Sequence, residues 1–142
     1  MSRVINTDST GKKRNQNMRT GAELLRHLSQ KNTIDDEAKD MLALLIYCLR
    51  EIDEGIDSSA QAWEKRDYWM KAEEFRERWR WVGLMADQLR HLVFEDAWDE
   101  LPSTLVRLFP HFSEITINKF MRKPSLWKGC YEQLMREKPG RH

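Results

Sequence analysis

The chain has 142 residues, of which 40% are hydrophobic and 33% charged, and its formal net charge is +1. That length suits one domain able to bury its own core, and that composition is too apolar for a wholly disordered polymer. The longest uninterrupted apolar run, Met41 to Leu49, is far too short to cross a bilayer.

Met1 to Arg19 holds no apolar stretch that reads as a secretory leader. Cys48 and Cys130 are the only cysteines, so no disulfide framework is expected and Cys48 reads as a small core residue. A cytoplasmic setting is expected. Charge is unevenly spread. Residues 1–20 set Arg3, Lys12, Lys13, Arg14 and Arg19 against Asp8 alone, a net +4. Residues 119–142 set seven basic groups against Glu132 and Glu137, a net +5, which leaves −8 for residues 21–118. Basic ends on an acidic body either meet an anionic partner or neutralise the body internally.

In chain order, residues 1–19 are polar and without apolar period, and predict a basic, flexible arm. Residues 20–138 predict a single helical domain, and residues 139–142 a tail. Thr20 and Glu23 have capping-box spacing, so the first firm helix is expected to start there. A second helix is expected after Thr33, with Asp35, Asp36 and Glu37 in its first turn, where the helix dipole favours negative charge. Its stripe Ala38, Leu42, Leu45, Leu49, Ile52 and Ile56 recurs at spacings of 4, 3, 4, 3 and 4. Met41 to Leu49 is apolar almost all round, which predicts the central helix of the bundle.

Gly55 and the capping box Ser58–Gln61 predict a break there, although Glu51, Asp53 and Glu54 would crowd that helix end. A third helix, Ser59 to Phe94, then carries the returning stripe Tyr68, Ala72, Phe75, Trp79, Val82, Ala86, Leu89 and Val93. At 1.5 Å per residue it would run roughly 50 Å. Beyond it, Pro102 opens a short helix ending near Phe109-Pro110. Ser113 to Met121 predicts another, and Pro124-Ser125 a last. The expected fold is all-α: a helical bundle built on a long antiparallel, coiled-coil-like hairpin with short C-terminal helices.

Motifs for chemistry are scarce. Ser9-Thr10-Gly11-Lys12-Lys13 is half a phosphate loop, without the upstream glycine or a Ser or Thr after the lysine. His27, His91, His111 and His142 lack the Glu-x-x-His spacing of di-iron bundles, and His91 with Glu95 gives only two ligands. No catalytic residue, cofactor, metal site or small-molecule substrate is legible, and Cys130 near Lys123 and Lys128 has no evident base. Phe75 to Trp81 interleaves arginines with aromatics, as stacking platforms for single-stranded nucleic acid do. On a continuous helix, however, Trp79 and Trp81 would point to opposite sides. Residues 113–135 lack the small residues with which a helix-turn-helix crosses closely.

Two functions follow as expectations. The third helix carries a second apolar stripe, Trp63, Met70, Trp81, Met85 and Leu92. Either the chain's own first and last segments cover it, or it docks a protein partner or a second copy of the chain. The leading expectation is a non-catalytic interaction or adaptor protein, with homo-oligomerisation through that stripe. The alternative is a nucleic-acid or other anion-binding protein using Lys12, Lys13, Arg14, Arg122, Lys123 and Lys128.

Overall fold

The computed structural model describes residues 7–140, with side chains from Ser9 onward. Residues 1–6 of the expected arm, and Arg141 and His142 of the tail, lie outside the described residues. The chain is all-helical: α1 (Thr7–Ser29), α2 (Asp36–Glu64), α3 (Trp69–Arg78), α4 (Arg80–Phe94), α5 (Leu101–Leu108) and α6 (Cys130–Met135). Short 3-10 turns stand at Trp98–Glu100, Phe109–Phe112 and Pro124–Leu126. No helix among the described residues is long and apolar enough to cross a membrane.

The central helix is α2, which packs against α1, α3, α4 and α6. Asp35 caps it by accepting a 2.8 Å hydrogen bond from the Ala38 amide. Leu42, Ala43, Leu45, Ile46 and Leu49 are completely buried, as the apolar run requires. The expected stop at Gly55 does not occur. The helix continues to Glu64, so Glu51, Asp53 and Glu54 lie along its body rather than at its negative end, and Ser58 caps nothing. Gly55 serves a close approach instead: a Cβ there would stand 3.2 Å from the Thr10 methyl of α1.

The first helix also begins earlier than expected, at Thr7. Packing overrides the weak propensity of residues 7–19. Met18 is buried, Asn17 donates to Glu51 at 2.9 Å, and the Arg14 guanidinium lies 5.3 Å from the Phe75 ring and 5.4 Å from Trp79. Residue numbers rise along α1 as they fall along α2 (Thr10 by Gly55, Asn17 by Glu51, Gly21 by Leu45), so the two helices run in opposite directions. The capping box at Thr20–Glu23 is therefore inside a helix, where both residues hold a distant part of the chain.

The expected single third helix is cut twice. Residues 65–68 form the turn after α2, and Trp79, at φ −106° and ψ 10°, is the joint between α3 and α4. α3 and α4 both lie along α2, with Arg76 bonded to Glu64 and Asp57, and Asp53 against Gly83. Pro102 stands in the first turn of α5, as expected. The helix expected over Ser113–Met121 is absent. Residues 113–123 are an irregular strap laid over α1, and no helix-turn-helix forms. The last helix is shorter than expected and starts after Gly129, whose φ is 83°.

Candidate interaction surfaces

The apolar stripe assigned to one helix face is divided among three environments, because that helix is broken. Trp63 is half-buried, with its ring edge-on to Phe75 at 4.9 Å and the Lys71 ammonium 5.0 Å from its centroid. Trp81 is half-buried too, and stacks on His111 with centroids 4.0 Å apart and planes 8° apart. Met85 and Leu92 are in the core. Met70 alone stands out, 79% exposed. The chain's own Phe109–Phe112 turn thus covers the middle of the stripe, and a charge placed at Trp81 would disturb that packing rather than report on association.

The two indoles expected on opposite sides come together. The joint at Trp79 resets the helical phase, and the Trp79 and Trp81 rings stack with centroids 6.0 Å apart and planes inclined by 28°. Arg14, Trp79, Trp81 and His111 form one continuous row. Burial lowers the His111 pKa, which favours the neutral ring against the indole. Internal side chains take up the faces of this row, so the interleaved stretch Phe75–Trp81 ties α1, α4 and the Phe109–Phe112 turn together.

Sequence reasoning passed over Trp69 and set Tyr68 in the core-facing stripe, whereas the turn after α2 leaves both in the open. With Met70 they crown the turn between α2 and α3, 55% and 60% exposed. In sequence they are flanked by Lys65, Arg66 and Lys71 and by Asp67, Glu73 and Glu74. The signal available in the sequence was a run of three large apolar residues between charges. It was masked by placing all three within a continuous helix.

The basic residues of the nucleic-acid alternative are not brought together. Arg14 covers Phe75 and Trp79, and Arg122 is bonded to Thr20 and Glu23. Lys13 lies near Gly55, in the C-terminal half of α2, with Lys12 beside it in sequence, whereas Lys123 and Lys128 flank Trp127, which donates to Glu37 in the first turn of α2. Eighteen residues of α2 separate Glu37 from Gly55, roughly 27 Å. Lys12, Lys13, Lys123 and Lys128 are exposed and make no ion pair among the described residues. Among the described residues, the one ion pair from a basic end to the acidic body is Arg122 to Glu23. Internal neutralisation by direct pairing is therefore slight among the described residues.

The half phosphate loop is a helical turn of α1, with none of the loop geometry that cradles phosphates. No group of three or more His, Cys, Asp or Glu that could hold a metal ion occurs among the described residues. Burial pushes the Cys48 thiol up to about 12, and burial and then Asp40 raise that of Cys130. No family model, curated protein or solved structure matches this chain.

Proposed function

We propose that the chain is a non-catalytic helical interaction protein that pairs with a second copy of itself through the turn between α2 and α3. The observation that carries this reading is the exposed run Tyr68, Trp69 and Met70, which no other part of the described chain covers. Aromatic residues and Met are enriched where proteins meet. A twofold contact sets one patch against itself, so its charges must be self-complementary. The charges that flank the run in sequence meet that condition, with Lys65, Arg66 and Lys71 balanced by Asp67, Glu73 and Glu74. In this reading α2 with α3 and α4 is one long antiparallel hairpin presenting its tip, and the pairs Glu64–Arg76 and Asp53–Gly83 support that direction.

Three exposed side chains supply far less than the ~800 Å² per partner of a standard interface, so the pair is weak. Sedimentation velocity over rising protein concentration tests it. A concentration-dependent dimer is expected, lost in Trp69→Ser/Met70→Ser while circular dichroism stays unchanged. A monomer at every concentration, or a dimer indifferent to the double substitution, overturns it. The alternative, nucleic-acid binding, draws support from Lys12, Lys13, Lys123 and Lys128, which make no ion pair among the described residues. It requires a ligand long enough to reach along α2 from Glu37 to Gly55.

A further inference from the structure

The strap over residues 113–123 is irregular, yet it is fastened to α1 at several points. Glu23, 1% exposed, accepts hydrogen bonds from the backbone amides of Met121 at 2.9 Å and Arg122 at 2.7 Å. The Arg122 guanidinium donates to Thr20 at 3.0 Å and to Glu23 at 3.4 Å. Phe120 stacks on His27 with centroids 3.8 Å apart. Irregular backbone that a rigid helix holds this firmly is where binding groups are commonly placed.

Between α1 and the strap is an open cavity of about 470 Å³ whose lining includes Arg19 from α1 and Thr116, Asn118 and Lys119 from the strap, with Glu23 and Arg122 at its wall. Its charges do not cancel. Glu23 is matched by Arg122, whereas Arg19 and Lys119 make no ion pair among the described residues. Two cations thus face one cavity uncompensated. A planar guanidinium and an ammonium are the pair best suited to an anionic oxygen cluster, the first as a fork and the second as a point charge. A phosphate monoester carries about −1.5 to −2 charges at neutral pH, which balances this excess where a single carboxylate would leave one cation unmatched. Thr116 and Asn118 add neutral hydrogen-bonding groups.

We infer that the cavity between α1 and the strap is a binding site for a small ligand bearing a phosphate group, with Arg19 and Lys119 as its principal contacts. The site is independent of the turn proposed for self-association, and neither residue is among the six named for nucleic-acid binding from the sequence.

The test is an NMR titration of the full chain with inorganic phosphate, in parallel with sodium chloride matched in ionic strength. Saturable shifts are expected at the amides of Lys119, Met121 and Arg122 and at the Arg19 Nε, with phosphate only. Arg19→Gln and Lys119→Gln should each weaken binding by roughly tenfold or more, since each removes a charge-assisted contact. Both positions are exposed, so thermal stability should hold. Lys12→Gln/Lys13→Gln should leave the titration unchanged. Equal shifts with chloride, or binding that survives Arg19→Gln/Lys119→Gln, overturns the inference. A short oligonucleotide is the second probe. Should it bind while phosphate does not, and should binding depend on Lys12 and Lys13, the site is an extended nucleic-acid surface and the cavity assignment is wrong.

Discussion

One close approach in the bundle depends on a residue with no side chain. Gly21 of α1 is buried, and a Cβ there would stand 2.9 Å from one Phe112 ring carbon, 3.2 Å from another and 3.4 Å from a Leu45 methyl. Phe112 is held in turn by Trp81, edge-on at 5.8 Å, and Leu45 is completely buried, so neither neighbour has space to retreat. Replacing glycine by alanine inside a helix ordinarily gains about 1 kcal/mol. Forcing a methyl into a packed core costs about 1–3 kcal/mol, and here the methyl overlaps a ring rather than a flexible chain end. Gly21→Ala should therefore destabilise the fold by about 1 kcal/mol net, read as a lower urea midpoint with unchanged slope. Gly83 makes the opposite case. Its Cβ would meet the Asp53 carboxylate, the mobile end of an exposed side chain, so the same substitution is easily accommodated there.

Among the elements, the ends of α2 and α4 share one device. Tyr68 donates its amide to the Trp63 carbonyl at 2.9 Å and Asp67 to that of Glu64 at 3.0 Å. Ala97 and Asp96 repeat the pattern onto Leu92 and Val93, at 2.9 and 3.2 Å. Both are Schellman endings, in which the residue past the helix turns left-handed, and both place aspartate where glycine is usual. Asp67 has φ 64° and Asp96 φ 53°. An L-residue pays roughly 1 kcal/mol for that conformation, and a carboxylate at a helix C-terminus opposes the dipole. Asp67→Gly and Asp96→Gly should each stabilise the protein by about 0.5–1 kcal/mol, and their effects should add in denaturant titrations, since the two turns share no partner. The same substitutions explain what the sequence conceals. The heptad rhythm of α2 and the early closing helix after Pro102 are legible because apolar spacing and proline carry them. The break after Glu64 is not, since its stop signal is an aspartate in a charged run, whereas Gly55 advertises a stop that close packing against Thr10 overrides. The joint at Trp79 has no breaker residue at all, so both the divided stripe and the stacked tryptophans were beyond periodicity.

At the scale of the whole molecule, the fold closes through one buried carboxylate. Glu23 and Met121 are nearly a hundred residues apart, and sequence spacing assigned Glu23 to a local cap because a capping box uses the same residue types. Only tertiary structure reveals that its donors come from the strap, so the cavity at Arg19 and Lys119 was equally hidden. The exposed pair Arg90–Asp87, at 3.5 Å with 40% and 74% side-chain exposure, offers the contrast. Breaking that pair by Asp87→Ala should cost less than about 1 kcal/mol, because water already screens both charges. Glu23→Ala removes a carboxylate that two backbone amides and a guanidinium surround, and leaves Arg122 partly buried opposite a void. Breaking a buried pair in this way costs about 3–5 kcal/mol, and the backbone donors lose their acceptor as well. The expected result is a fall in stability of about 3 kcal/mol, with hydrogen exchange at Met121 and Arg122 accelerating far more than at Leu45 or Leu49. Exchange that quickens equally in α2 and the strap would mean that Glu23 supports the whole core, and the strap would then not be an element fastened separately onto α1. Glu23→Gln separates shape from charge. It keeps the size and one acceptor but gives the strap amides an amide group in place of a carboxylate, and its loss should fall between those of the wild type and Glu23→Ala.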